Sequence, residues 1–269
     1  MSATKLTKPL ADSARLLDFF SCLGAASASA LLLDYDGTLA PFQIDRNNAY
    51  PYPEVVPLLE EISNRNHTRV VIITGRPVAD LDPFLQPLDN LEIWGTHGLE
   101  HRLPDGTYKQ SQTALSTLQL LREAKDWVIQ AKLAPLAEFK PGGIAIHWRG
   151  LSKSEAHEIE AQLRAGWNTF ARSGELKFLS FDSGLELRIA RPHKGDAVAS
   201  IIAESGPRTE IAYLGDDLTD EDAFRVLNGR GLTVLVRPEY RETAAQVWLK
   251  PPHELIAFFE EWLSRIPEA

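Results

Sequence analysis

The sequence predicts an α/β protein whose parallel sheet is interrupted by a small α+β insert. Short runs dense in Val, Ile and Leu, bounded by Gly, Asp or Pro, alternate with amphipathic helical stretches, the signature of a sheet covered by helices on both faces. Between residues 105 and 181 this rhythm gives way to a helix followed by paired strands, twice over. A chain of 269 residues can bury one large domain carrying a smaller one.

In chain order, an amphipathic stretch predicts a helix over 13–23, and the first buried strand follows at 30–34 in "LLLDYDGTLA". A helix at 54–64 leads to a strand at 69–74, and "LEIW" marks another at 91–94. The insert reads as a helix over 113–132, strands at 137–140 and 144–149, a helix over 152–171 and a strand at 176–179. A further strand lies at 186–190. The remainder alternates helix 194–204, strand 210–214, helix 220–227, strand 232–236 and helix 253–265. These elements divide the chain into a core of residues 1–104 and 182–269 and an insert of residues 105–181.

Acidic residues outnumber basic ones, 37 to 28, for a formal charge of −9. Binding to a phosphate backbone needs a basic footprint, so no nucleic-acid partner is expected. Cys22 is the single cysteine, which excludes an intrachain disulfide and fits a reducing compartment. Lys5 and Lys8 followed by an apolar stretch ending in small residues imitate a secretory signal. Asp18 interrupts that stretch, and cleavage after Ala30 would make the first buried strand the terminus, so a cytoplasmic location is expected. No apolar run approaches the roughly 20 residues of a membrane span.

Ligands of an open parallel sheet bind beyond the carboxyl ends of its strands. Asp34 ends its strand there, Asp36 follows one residue later, and Gly37 turns the chain away. An EF-hand is excluded, because Leu39 would occupy the required glycine position and Asp45 the bidentate glutamate position. A second apolar strand runs through Gly215 into five acids within seven residues, from Asp216 to Asp222. Asp220, Glu221 and Asp222 suit a helix start. Asp216 and Asp217, however, sit on the strand tip. If both tips point the same way, Asp34, Asp36 and Asp216 converge, and two like charges about 4 Å apart repel by roughly 4 kcal/mol at an effective dielectric of about 20. That cost calls for a cation, and an all-oxygen site with few protein ligands points to Mg²⁺.

Phosphate would complete such a shell. Thr74 at a third strand tip, followed by Gly75, Arg76 and Pro77, offers a hydroxyl and free N–H groups. Lys194 opens a helix, where a cation opposes the dipole preference and is better explained by an anionic ligand. Together these residues suit phosphoryl transfer, with Asp34 as nucleophile and Asp36 moving the proton. Asp34, Asp36, Asp216 and Asp217 surround the metal, Thr74 and Lys194 hold phosphate oxygens, and Asp220 orients Lys194 and the metal waters.

In that order, "DYDGT", "TGR", "KGDA" and "GDDLTDED" resemble the four motifs of the haloacid dehalogenase-like phosphatases. The resemblance implies a Rossmann-like parallel-sheet core with the insert as a small α+β cap that selects the substrate. Within that superfamily, "GTHGLE", "EFKPGGIAIHWR", "GLELR" and "GDDLTDE" are similar to the trehalose-6-phosphate phosphatase family. By position, the likeness implies that Arg76, His97, Glu138, Lys140, His147, Arg149 and Glu186 contact the sugar or its phosphate. Two departures stand out: Ile189 replaces a proline common after the family's E-x-[KR] pattern, and Pro141-Gly142-Gly143 makes the turn after Lys140 unusually rich in turn formers. The implied partner is a small phosphorylated disaccharide, with no membrane and a monomer rather than an obligate oligomer. The chain is too short for a fused synthase domain. A sucrose-phosphate or glycosyl-phosphoglycerate phosphatase, or a phosphosugar mutase, would use the same core, whereas an inactive sensor would not need Asp34, Asp36, Thr74, Lys194 and Asp216 together.

Overall fold

The computed structural model describes residues 13–43, 45–86, 88, 90–181 and 183–268. Lys5 and Lys8, the basic flank of the signal-like stretch, lie outside the described residues. The chain forms two compact units, one of residues 13–109 and 194–268 and the other Gln110–His193.

The first unit is built on an eight-stranded sheet. Its strands are β1 (Ala28–Leu33), β2 (Thr68–Ile73), β3 (Glu92–Gly95), β4 (Glu100–Arg102), β5 (Tyr108–Gln110), β10 (Thr209–Gly215), β11 (Leu232–Val236) and β12 (Val247–Leu249). They lie in the order β12-β11-β10-β1-β2-β3-β4-β5. The pairs from β12 to β3 are parallel, and β4 turns back antiparallel on β3. β1 is central, paired with β10 on one side and β2 on the other. Its side chains alternate between two cores, as a strand's period of two requires. Leu31 and Leu33 enter the cluster containing Phe19, Phe20, Leu59, Phe258 and Trp262 from α1 (Ser13–Ala25), α2 (Val55–Asn64) and α7 (His253–Arg265). Ala30 and Leu32 enter the other, with Val198, Ile201 and Phe224 from α5 (Lys194–Glu204) and α6 (Glu221–Leu227). Each buried leucine contributes about 1.5–3 kcal/mol, so β1 is anchored from both faces and its tip is fixed.

The second unit pairs α3 (Leu115–Gln130) and α4 (Lys153–Ala171) with an antiparallel sheet ordered β6-β7-β9-β8. Its strands are β6 (Ala137–Lys140), β7 (Gly143–His147), β8 (Leu176–Phe181) and β9 (Gly184–Ile189). Leu121, Val128, Leu163, Trp167, Ile144, Ile146 and Leu187 are all buried within this unit. Ser152 caps α4 reciprocally with Glu155, whose N–H and carboxylate both engage it.

Each predicted helix and strand is found, with ends within a few residues. Three boundaries differ. The sequence begins the insert at residue 105, but β5 joins the eight-stranded sheet and the first unit runs to Lys109, so the second begins at Gln110. The sequence placed residues 182–193 with the core, but β9 pairs with both β7 and β8, so the second unit runs on to His193. The strand predicted to reach Arg149 stops at His147, because the chain turns at Gly150, whose φ is +87°. β4, β5 and β12 are additional: three residues each, too short for a periodic signal.

Candidate active site

Because β10, β1 and β2 run parallel and adjacent, their carboxyl ends open at one edge of the sheet. Asp34 leaves the tip of β1, its N–H bonded to the Leu214 carbonyl at 2.9 Å, and Asp216 follows the tip of β10. Lys194, the first residue of α5, reaches between them. Its Nζ donates to Asp34 Oδ1 at 2.5 Å and to Asp220 Oδ1 at 2.7 Å. Asp34, Lys194, Asp216 and Asp220 are all at most 4% exposed.

Asp220 is the most fully engaged of the acids. Besides Lys194, its Oδ1 accepts the Tyr213 hydroxyl at 2.6 Å, and its Oδ2 accepts the N–H groups of Asp216 and Asp217 at 3.0 Å each. A carboxylate has about four acceptor sites, so none remains for a metal. Gly215 makes the approach possible, since a Cβ there would collide with the Asp220 carboxyl. Asp216 is the opposite case: its Oδ2 is buried and has no hydrogen-bond partner. Gly37 presses the β1 loop against that oxygen, where a Cβ would strike both Asp216 Oδ2 and the Phe42 ring, and its φ of +81° favours glycine independently.

Oxygen atoms of Asp34, Asp216 and Asp220 lie within 4.8 Å of one another, against a single ammonium from Lys194. Burial pushes Asp34 up to about 7, helped by repulsion from Asp220 and Asp36, while Lys194 pulls the other way. Burial raises Asp216 well above the carboxylate range, reinforced by Asp34, Asp220 and Asp217. Burial alone would weaken the Lys194 charge, but Asp220 and Asp34 overcome it and hold the ammonium above its ordinary value. Three carboxylates against one ammonium leave the cluster two positive charges short, and the orphaned oxygen of Asp216 faces that deficit. The donor set therefore fits a hard cation. Asp217, also expected beside the metal, lies outside this cluster, and burial and Asp220 raise it while Arg241 and Arg237 offset them.

At the β2 tip, Thr74 is fully buried, its Oγ1 accepting the Arg76 N–H at 3.1 Å. Arg76, expected at the substrate, grips Asp36 with two parallel bonds, Nε to Oδ2 at 2.8 Å and a terminal nitrogen to Oδ1 at 2.6 Å. Its guanidinium sits 5.0 Å from the Tyr35 ring centroid and 5.2 Å from that of Phe84, and the residue is 2% exposed. Such a fork is fixed in direction as well as in charge. His97 covers the same tip: its N–H donates to the Thr74 carbonyl at 2.8 Å, and a Cβ on Gly75 would come within 2.7 Å of its ring. Thr96 and His97 both adopt left-handed backbone, with φ of 47° and 57°. For such residues this costs on the order of 1–2 kcal/mol each, strain that the surrounding structure must hold.

In the second unit, the strand partners Glu138–Ala145–Glu186 and Lys140–Gly143–Arg188 form two rows across one sheet face. Lys140 Nζ lies 3.4 Å from Glu186 and 3.9 Å from Glu138, and His147 Nε2 is 3.1 Å from Glu138. The structure thus gathers Glu138, Lys140, His147 and Glu186 into one charged cluster. Arg149 falls in the turn beyond β7. Three residues at these sites were missed: Tyr213, Glu100 and Arg188. Arg188 could have been found, because it shares the alternating face of β9 with Glu186. Tyr213 sits inside an apolar run with nothing to set it apart.

The model of the trehalose-phosphatase family matches residues 32–247. Trehalose-phosphate phosphatases of Mycobacterium tuberculosis and Mycobacterium bovis are 30% identical over 278 aligned positions, covering 95% of this chain and 68% of theirs. Among solved structures, the C-terminal domain of Candida albicans trehalose-6-phosphate phosphatase superposes with a TM-score of 0.78 at 20% identity, covering 93% of this chain and 96% of that one. The Aspergillus fumigatus trehalose-6-phosphate phosphatase gives a TM-score of 0.68 at 24% identity, covering 96% and 99%. At those identities the structural likeness speaks for the fold alone, an α/β fold that a haloacid dehalogenase-like hydrolase of B. subtilis also shows, with a TM-score of 0.60 at 16% identity, covering 86% of this chain and 99% of that one. Among the described residues no helix is long and apolar enough to cross a membrane.

Proposed function

We propose that this chain, an enzyme that belongs to the trehalose-phosphatase family, hydrolyses trehalose 6-phosphate to trehalose and phosphate by way of a phosphoryl group carried on Asp34. The observation that supports this most directly is the buried contact between Lys194 and Asp34 beside the orphaned oxygen of Asp216. Lys194 engages one Asp34 oxygen and leaves the other to attack phosphorus. As that P–O bond forms, the bond to the sugar oxygen breaks, and Asp36 supplies the proton that the departing oxygen takes. Water then attacks phosphorus, Asp36 accepts its proton, and the Asp34–phosphate bond breaks to restore the carboxylate. Asp36 is a third exposed on its side chain and can exchange protons with solvent, while Arg76 fixes its direction.

Thr74 and Lys194 hold the phosphoryl oxygens, and Asp220 orients Lys194. Asp34, the Asp36 carbonyl and Asp216 would hold Mg²⁺, with Asp217 orienting its waters, and the ion when bound would reduce repulsion between the phosphate dianion and the Asp34 carboxylate. In the second unit, proposed to act as the cap, Glu138, Lys140, His147, Arg149 and Glu186 recognise the disaccharide, as the family resemblance suggests. His97 shapes the phosphate end. The single cysteine supports a cytoplasmic location, and the chain is proposed to act as a monomer.

Phosphate release from a panel of phosphosugars tests the reading: trehalose 6-phosphate is expected to be the preferred substrate, with activity lost in EDTA and restored by Mg²⁺. Preference for sucrose phosphate or a glycosyl-phosphoglycerate would overturn the substrate assignment. Isomerised sugar phosphate with little free phosphate would mark a mutase, and full activity in chelator would remove the metal.

A further inference from the structure

We propose that Glu100 is a positioning residue for this reaction, a carboxylate clip that holds the strained Thr96–His97 turn against the β2 tip. The inference rests on the phosphatase reading above. Glu100 opens β4 and is 8% exposed, with both oxygens employed. Its Oε2 accepts the Thr96 hydroxyl at 2.5 Å and the Val78 N–H at 3.2 Å, and its Oε1 accepts the Tyr108 hydroxyl at 2.8 Å. Three chain segments therefore end on one side chain. Gly95 allows the convergence, since a Cβ there would lie 2.9 Å from Glu100 Oε2 and 2.8 Å from the Val78 nitrogen.

What the clip holds is the phosphate end of the site. The Thr96 N–H donates to the Arg76 carbonyl and the His97 N–H to the Thr74 carbonyl, both at 2.8 Å, and the His97 ring covers Gly75. Thr96 is β-branched with φ of 47°, a conformation that persists only where neighbours over-determine it. Sheet pairing does not supply that constraint, because the turn lies between β3 and β4. Beside the two backbone bonds, Glu100 Oε2 is the side-chain anchor of the turn, through the Thr96 hydroxyl. Without it the turn relaxes against those two bonds alone, letting the His97 ring move over Gly75 and the Thr74–Arg76 backbone shift by the fraction of an ångström that phosphoryl transfer does not tolerate.

The two oxygens separate this role from general stability, since Oε2 faces the site loops and Oε1 faces Tyr108. Four variants are compared with the wild type for kcat, KM and melting temperature: Glu100→Ala, Glu100→Gln, Thr96→Val and Tyr108→Phe. Glu100→Ala and Thr96→Val should lower kcat by about 10- to 100-fold with little change in KM. Glu100→Gln keeps an acceptor for Thr96 and Val78 and can donate to Tyr108, so it should stay within about 3-fold of wild type. Tyr108→Phe should lower the melting temperature yet leave kcat unchanged. A kcat that tracks melting temperature across all four, or an unaffected Glu100→Ala, overturns the clip. The Mg²⁺-loaded proteins are also titrated with orthovanadate, a phosphate mimic, whose affinity should fall in the same order. If the wild type releases no phosphate from trehalose 6-phosphate but vanadate affinity still follows that order, the functional reading fails and the clip stands. A vanadate affinity equal in all five proteins overturns the clip.

Discussion

Replacing Lys194 by methionine, which keeps most of the side-chain volume, removes an ammonium held 2.5 Å from Asp34 and 2.7 Å from Asp220 at a point 2% exposed to solvent. Deleting one partner of a buried pair costs about 3–5 kcal/mol, because the surviving charge stays buried without compensation. Here the lower end applies: Asp220 keeps the Tyr213 hydroxyl and two backbone N–H donors, so Asp34 bears most of the loss. A loss of about 3 kcal/mol is expected in chelator, read from urea unfolding followed by far-UV circular dichroism. Mg²⁺ should narrow the gap, since a cation among Asp34 and Asp216 takes over part of the ammonium's work. Combining the change with Asp220→Asn removes one of the stranded charges, so the pair should be less damaging than the sum of its parts by about 1–2 kcal/mol. A loss below about 1 kcal/mol, or strict additivity within about 0.5 kcal/mol, would refute the account of a buried acidic cluster held by Lys194.

Gly37→Ala should cost about 1–2 kcal/mol of stability through its left-handed backbone and about 1–3 kcal/mol more through the collision with Asp216 and Phe42, and lower phosphate release by about 100-fold, because the new methyl displaces the Asp216 carboxylate. Activity within about 3-fold of wild type would show that the loop yields without moving the site. Glu92→Gln probes the far edge of the sheet. Burial works to raise Glu92, but hydrogen bonds from Arg69, with its charge, and from His101 and Trp94 hold it below its ordinary value of 4.5. A depressed folded-state value means that the stabilisation is fully present above 4.5 and is lost as pH falls through the folded value. The variant should therefore be less stable than wild type by about 1.5–3 kcal/mol near neutrality, with the difference shrinking in acid; a gap that grows in acid would reverse the assignment.

The strands that carry the site were legible because each is an apolar run ending in a chemically unusual residue: Leu31–Leu33 into Asp34, Ile72–Ile73 into Thr74, Ile211–Leu214 into Gly215 and Asp216. β4 and β5 were not, since "EHR" and "YKQ" contain almost nothing apolar, and their pairing depends on the neighbouring β3. β9 was found as a strand but assigned to the core side. Its alternation, Leu185 and Leu187 against Glu186 and Arg188, has the period of two of an antiparallel strand with one apolar and one charged face, both of them buried, and not the continuous apolar run of a parallel core strand. The Arg76–Asp36 fork spans 40 residues of sequence, and no local pattern announces a partner so remote. Glu100 stood within a recognised segment yet had no role, because the strained turn it holds is visible only in three dimensions.

The four acids at these strand tips are alike in chemistry and are told apart by what their partners leave unused. Asp220 has no lone pair to spare, and so it can orient but neither attack nor coordinate. Asp36 is held in direction by a guanidinium at a position that solvent can reach, which separates it from the three buried acids. Asp216 keeps a buried oxygen with no donor, an acceptor that a hard cation would satisfy. Asp34 alone combines burial, one ammonium contact and a second free oxygen at the end of the central strand β1. The division of labour is set by Lys194, Arg76, Tyr213 and the backbone N–H groups, which are therefore as much part of the site as the carboxylates.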